Sequence, residues 1–241
     1  MEKYVVKNIK RPDKKIIDEY KNYDVSTVYE AQGRQGLLDL HIKPIQTGKL
    51  ICGPAVTTIC YAGDNLMIHA AVEVCQPGDI LVITTIGNSH SGMIGELIVR
   101  ALMNRGVQGV IIDSGVRDVK QIRELGFPIW SKAINSEGTT KNRGGWVNAP
   151  AVCGGTKVNP GDLILADDDG VVVVKREDVY TSLEATKKRV EKENGTKERI
   201  ASGELSLDFY NLRETLVKER VNYYENEDQL KRTLSEHISV Q

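Results

Sequence analysis

Hydrophobic positions along the chain change their period repeatedly, and each change marks an element. Lys14–Asn22 and Ser26–Gly33 carry apolar residues at helical spacing, with Ser26 as a candidate cap. Leu50–Tyr61 is rich in β-branched residues and reads as a strand with a break at Gly53-Pro54. A turn at Gly63-Asp64-Asn65 leads into a helix over Leu66–Val74, which Gln76-Pro77-Gly78-Asp79 stops. Ile80–Ile86 is a second strand, followed by a small-residue loop over Gly87–Gly92 and an amphipathic helix over Met93–Arg105. Val110–Asp113 is a short buried strand, Ser114-Gly115 a turn, Val119–Leu125 a helix and Pro128–Lys132 a further strand. A long polar loop fills Ala133–Val147. Leu163–Ala166 and Val171–Val174 form a hairpin around Asp167-Asp168-Asp169-Gly170. Beyond Arg176 the pattern is charged and helical to Ala201, then helical again with Phe209, Leu212, Leu216 and Val217, and ends in a polar tail from Glu225.

Strands alternating with helices predict an α/β domain. Its 241 residues suit one domain over 1–205 with a helical extension over 206–241 that packs on the domain or on a neighbouring subunit. A net charge of −1 offers no basic face, so nucleic acid is not an expected partner. The chain contains no apolar run of membrane-spanning length, and its first residues lack a signal core. Cys52, Cys60, Cys75 and Cys153 are scattered through apolar contexts and read as core thiols of a reducing cytoplasm.

Twenty residues separate Glu96 from Arg117. One helix and one strand fill that gap, so Glu96, Arg117 and Asp118 are expected to meet at one rim of a sheet. The small residues before the helix leave N–H groups at its positive end, an arrangement suited to a carboxylate or phosphate. Arg117 adds a planar two-point grip, and Asp118 an oxygen ligand for a divalent cation. The plain alternatives are that Asp118 caps the helix after it and that Glu96 is solvated. His69, four residues after Asn65, reads more readily as a core histidine, and His41 and His90 have no evident partner. Cys and His do not cluster as a zinc site requires. Asp167–Asp169 lacks calcium-loop spacing, and no Walker, GxSxG or dinucleotide fingerprint occurs, which also leaves a methyltransferase without its nucleotide loop.

The segments STVYEAQGRQG (Ser26–Gly36), GDNLMIHAAVEVCQPGDILVI (Gly63–Ile83), GELI (Gly95–Ile98), GVIIDSGVRDV (Gly109–Val119), GFPIWSKA (Gly126–Ala133), GTTKN (Gly138–Asn142) and GDLILADDDGVVVV (Gly161–Val174) carry a resemblance. The chain resembles the class II pyruvate aldolases that cleave 4-hydroxy-4-methyl-2-oxoglutarate and 4-carboxy-4-hydroxy-2-oxoadipate. These share a superfamily with the regulator of ribonuclease activity A. The resemblance implies a layered β/β/α swivelling-domain fold and a trimer or hexamer with sites between subunits. It also implies that Asp118 binds Mg²⁺ or Mn²⁺ and that Glu96 holds a metal water. Arg117 and the N–H groups of Glu96, Leu97 and Ile98 would take the pyruvate carboxylate. Glu30, Asn65, His69 and Lys141 match polar residues lining the family's site, and Glu193 is the candidate acid from a neighbouring subunit. Aldolase members usually carry Asp where Glu96 stands.

The expected activity is release of pyruvate from a 4-hydroxy-2-oxo acid, with oxaloacetate decarboxylation beside it through the same enolate. Two alternatives remain: a non-catalytic regulator that binds a ribonuclease or helicase, and an aldolase or decarboxylase for another 2-oxo acid.

Overall fold

The computed structural model describes residues 2–238. In chain order its elements are β1 (Tyr4–Val5), α1 (Lys14–Tyr20), α2 (Val25–Ala31), β2 (Lys43–Pro44), β3 (Ile51–Tyr61), α3 (Leu66–Val74), β4 (Ile80–Ile86), β5 (Gly92–Ile94), α4 (Glu96–Asn104), β6 (Gly109–Val116), α5 (Val119–Glu124), β7 (Ile129–Ile134), β8 (Trp146–Val147), β9 (Ala151–Cys153), β10 (Thr156–Val158), β11 (Leu163–Ala166), β12 (Val171–Val174), α6 (Val179–Ala201), α7 (Ser206–Phe209), α8 (Leu212–Lys218) and α9 (Glu227–Ile238). The chain divides into two compact units, Met1–Val190 and Glu191–Gln241.

In the first unit β3, β4, β6 and β7 lie parallel and adjacent. α3, α4 and α5 each run between successive parallel strands, as parallel neighbours require. Val56, Leu81, Val110 and Ile112 point to the helices and pack with Ile68, Val99 and Ile122. Alternate residues, among them Ala55, Val82, Ile111 and Trp130, point the other way and meet Ile164 and Val173 of the β11–β12 hairpin. The far side of that hairpin buries Leu165 and Val172 against Tyr20, Val28 and Leu183 of α1, α2 and α6. Helix, sheet, hairpin and helix thus form successive layers. Each fully buried Ile or Leu contributes about 1.5–3 kcal/mol.

Gly53-Pro54 does not break its strand. β3 is continuous, and this is where it changes partner: Ile51–Pro54 pair with β11, and Ala55–Tyr61 with β4. A Cβ at Gly53 would collide with the Gly78 carbonyl, so the close approach needs glycine. Ser114-Gly115 is likewise not a turn. β6 runs on to Val116, with a register shift between Ile112 and Gly115, because β5 adds to it there. β5 takes Met93 and Ile94 from the predicted helix, and Gly95, extended at φ −133°, delays helix entry to Glu96. The cap of α2 is Asp24, which accepts the Thr27 N–H at 2.7 Å, while Ser26 donates to Asp24 instead. The polar segments at the N-terminus and before Val147 supply β1 and β8, which pair in parallel. The hairpin turn forms as expected: Asp167 Oδ2 takes the Val25 N–H and Asp168 the Gly48 N–H. All four cysteines are buried and unbridged.

The second unit holds the end of α6, then α7, α8 and α9, so the division falls before the expected 205/206 boundary. It is tied by surface pairs, Arg199 to Glu204 at 2.6 Å and Arg213 to Asp208 at 2.5 Å. None of its described side chains is buried. No helix among the described residues is long and apolar enough to cross a membrane.

Candidate functional site

Two strand–helix junctions lie side by side at one rim of the sheet. β5 leads through Gly95 into α4, and β6 leads through Arg117-Asp118 into α5. The Arg117 N–H donates to the Ile94 carbonyl at 2.8 Å and locks the junctions together. Asp118 then adopts a left-handed conformation, φ 56° and ψ 35°. For a non-glycine residue this is uncommon, and Asp tolerates it better than most. The turn aims the carboxylate back across the rim, where Oδ2 accepts the Glu96 N–H at 3.1 Å. Asp118 occupies the N-cap position of α5 but makes no side-chain cap bond there. The plain capping reading therefore does not account for it.

Gly95 makes this approach possible. A Cβ there would collide with Asp118 Oδ2 and lie 3.1 Å from Arg117 Nε. Arg117 runs on toward Gly138, whose Cβ would lie 3.5 Å from Nη1. Gly92 closes the other side, where a Cβ would sit 2.9 Å from that of Arg117. At the start of α4 the Glu96 N–H goes to Asp118 and the Val99 N–H to the Gly95 carbonyl. The Leu97 and Ile98 N–H groups have no acceptor among the described residues and face outward at the positive helix end. The Glu96 side chain turns along its own helix and pairs with Arg100 at 2.8 Å.

Asn65 abuts the same rim from α3. It is buried, and its Nδ2 donates to the Met93 carbonyl at 3.0 Å. Its Oδ1 is buried with no partner among the described residues. His69 is exposed one turn along and is not the core residue that the sequence favours. Lys141 is exposed on the loop that Asp64 fastens to this helix. Glu30 is not brought to the rim through its own contacts: it pairs with Arg34 at 3.0 Å and faces Arg189 at 3.7 Å. Glu193 lies on α6 in the second unit.

Sequence reasoning reads Gly63-Asp64-Asn65 as a turn and N-cap, and misses both the long-range bonds of Asp64 and the steric role of Gly95. Burial opposes ionisation of Asp64. The Thr140 hydroxyl and the N–H groups of Asn142, Leu66 and Arg143 outweigh that cost and hold its carboxyl below the ordinary range. Its signal was an acid directly before a helix, which local pattern alone cannot tell from a cap.

The donor set can be matched to a metal. Among the described residues no three of His, Cys, Asp and Glu gather as a cage. While the Glu96 carboxylate, one residue past Gly95, is paired with Arg100, Asp118 offers a hard oxygen donor at an exposed rim. That suits Mg²⁺ or Mn²⁺, which keep several waters and take one or two carboxylates, and does not suit zinc.

The family model for RraA-like proteins, described as Aldolase/RraA, matches residues 15–173. A relative from Halalkalibacterium halodurans, provisionally named a 4-hydroxy-4-methyl-2-oxoglutarate aldolase, is 30% identical over 169 residues, covering 70% of this chain and 80% of its own. An uncharacterized protein of Methanocaldococcus jannaschii is 33% identical over 195 residues, 80% of this chain and 92% of its own. Among solved structures, Streptomyces coelicolor RraAS2, described as an unusual member of the RNase ES inhibitor RraA family, superposes with a TM-score of 0.71. It is 27% identical over 78% of this chain and 100% of its own. The layered fold and the matched segments lead to one conclusion: this chain belongs to the RraA-like, Aldolase/RraA family.

Proposed function

We propose that the protein is a divalent-metal-dependent class II aldolase that cleaves a 4-hydroxy-2-oxo acid into pyruvate and a second oxo acid. The observation that carries this reading is the convergence of Arg117, Asp118 and the open N-terminus of α4 over Gly95. A substrate carboxylate meets the Arg117 guanidinium as a two-point fork, with the Leu97 and Ile98 N–H groups behind it. Asp118 would hold Mg²⁺ or Mn²⁺ directly and Glu96 through a water, and the cation would supply Lewis-acid stabilisation of charge on the 2-oxo group. The C3–C4 bond breaks with its electron pair passing to C3. The C4 hydroxyl becomes the carbonyl of the departing oxo acid, and its proton leaves by way of water ordered at the Glu96 carboxylate. For this Glu96 turns from Arg100. Arg117 stays on the pyruvyl fragment and offsets its charge until C3 is protonated. Loss of CO₂ from oxaloacetate yields the same enolate, so decarboxylation follows as a second activity.

Glu30 belongs to the site lining in this reading, and Glu193 enters from a neighbouring subunit of a trimer or hexamer. The test is pyruvate release, coupled to lactate dehydrogenase, from 4-hydroxy-4-methyl-2-oxoglutarate and related acids with Mg²⁺, with Mn²⁺ and with chelator. Metal-dependent release is expected, and release that is absent or unaffected by chelator refutes it. The likeness to RraAS2 favours one other reading, a ribonuclease-binding regulator. Capture of a ribonuclease by a protein that releases no pyruvate would establish that instead.

A further inference from the structure

We infer that Asp64 is a positioning residue: it clamps the Thr140–Arg143 loop onto the start of α3, so that Lys141 addresses the far end of an acid gripped at the Arg117 rim. This rests on the aldolase reading for the identity of that acid, but not for the clamp.

Asp64 is 1% exposed. One of its oxygens, Oδ1, accepts the Leu66 N–H at 3.0 Å, as an ordinary helix-entry residue does. The other behaves differently. Oδ2 takes the Thr140 hydroxyl at 2.6 Å, the Asn142 N–H at 2.6 Å and the Arg143 N–H at 3.2 Å. All three donors lie more than seventy residues away in sequence. The backbones close around the same point: Thr140 N–H to Gly63 carbonyl at 2.9 Å, and Asn65 N–H to Thr140 carbonyl at 3.0 Å. Lys141 is therefore fixed on both sides while its own side chain stays exposed. Asn65, on the helix side of the clamp, is turned to the rim, where its Nδ2 donates to the Met93 carbonyl at 3.0 Å. The Arg117 and Asp118 rim grips one end of a dicarboxylic acid, and an ammonium held at Lys141 meets a carboxylate at the other.

A carboxylate is needed because every partner of Asp64 is a donor. In Asp64→Asn the amide nitrogen must face one set of donors whichever way it turns. The milder Thr140→Val removes one donor and keeps the shape. Trypsin reads the clamp, since it cuts after Lys141 and Arg143. Nicking of the native protein there should rise about tenfold in both variants, the factor expected for one lost hydrogen bond of about 1.4 kcal/mol. With Mg²⁺ and 4-hydroxy-4-methyl-2-oxoglutarate, KM should rise about tenfold with kcat little changed, because binding at the distal end is lost. Exchange of the pyruvate C3 protons in D₂O, which needs only the Arg117 end, should stay at the wild-type rate. Unchanged nicking overturns the clamp. An unchanged KM, or exchange that falls in step with KM, overturns the positioning role. A wild-type protein that neither releases pyruvate nor exchanges its protons refutes the aldolase reading and the positioning role with it, and nicking then decides the clamp by itself.

Discussion

Asp118 stands at the entrance to α5, yet its carboxylate caps α4 by accepting the Glu96 N–H at 3.1 Å. One side chain therefore fixes the spacing between the anion grip and the proposed cation ligand. Replacing it with alanine should abolish metal-dependent pyruvate release and cost about 1 kcal/mol of stability, the usual value of a lost cap. Thermal melting by circular dichroism checks the fold, and the coupled assay checks the chemistry. A folded Asp118→Ala protein with near-normal metal-dependent rates would mean the ligand lies elsewhere.

Gly95→Ala puts a methyl group against Asp118 Oδ2 and near Arg117 Nε. The backbone at Gly95 is extended, so the strain is steric and not conformational. Activity should drop at least about a hundredfold while stability changes by about 1–3 kcal/mol, the usual cost of overpacking. Equal activity in this variant would show that Asp118 has room to move without consequence.

Arg117→Lys keeps the charge and loses the fork. KM for pyruvyl substrates should rise steeply, roughly tenfold to a hundredfold, because a single ammonium cannot match both carboxylate oxygens. Initial-rate kinetics with saturating metal measure it, and a KM equal to wild type would place the carboxylate elsewhere.

Away from the rim, Arg11 forks onto the fully buried Asp79 with two bonds of 2.8 Å. Arg11→Ala strands that carboxylate before β4 and should destabilise the first unit by about 3–5 kcal/mol in urea titration. A loss under 1 kcal/mol would show that water reaches Asp79 once the guanidinium is gone.

Asp64 gives a pH signature. Its folded carboxyl lies below the ordinary range, so its contribution is present above about pH 4, the ordinary carboxylate value, and disappears as pH falls through the lowered one. The stability gap between wild type and Asp64→Asn should thus be constant near neutrality and shrink on acidification. Denaturant melts at several pH values measure the gap, and a gap that widens in acid would reverse the assignment.

Much of the fold was legible because burial on two faces writes itself into the sequence. ILVITTI and VVVV could hardly be anything but inner strands, and MIGELIVRALMNR showed its helical stripe. What was misread depended on partners remote in sequence. Gly53-Pro54 looks like punctuation until β11 and β4 are seen to share β3. Ser114-Gly115 looks like a turn until β5 pairs beyond it. The pairing of Arg117 with Asp118 was visible as two adjacent letters, with Glu96 one helix and one strand before them. The left-handed turn that sends Asp118 back to α4 was not visible, because it needs room at Gly95 that only the folded chain shows. His69 was misjudged because helical spacing gives a face without saying whether anything covers it.

Leu97 opens the first turn of α4 with 80% of its surface bare, directly beside the outward N–H groups. An aliphatic side chain at that spot does nothing for a chain alone in water, where a gripped carboxylate is bathed in high dielectric and held weakly. Covered, it becomes a hydrophobic wall that dries the grip and strengthens every charge in it. Specific activity should then depend on how concentrated the enzyme is, and dilution would switch it off before any chain unfolds.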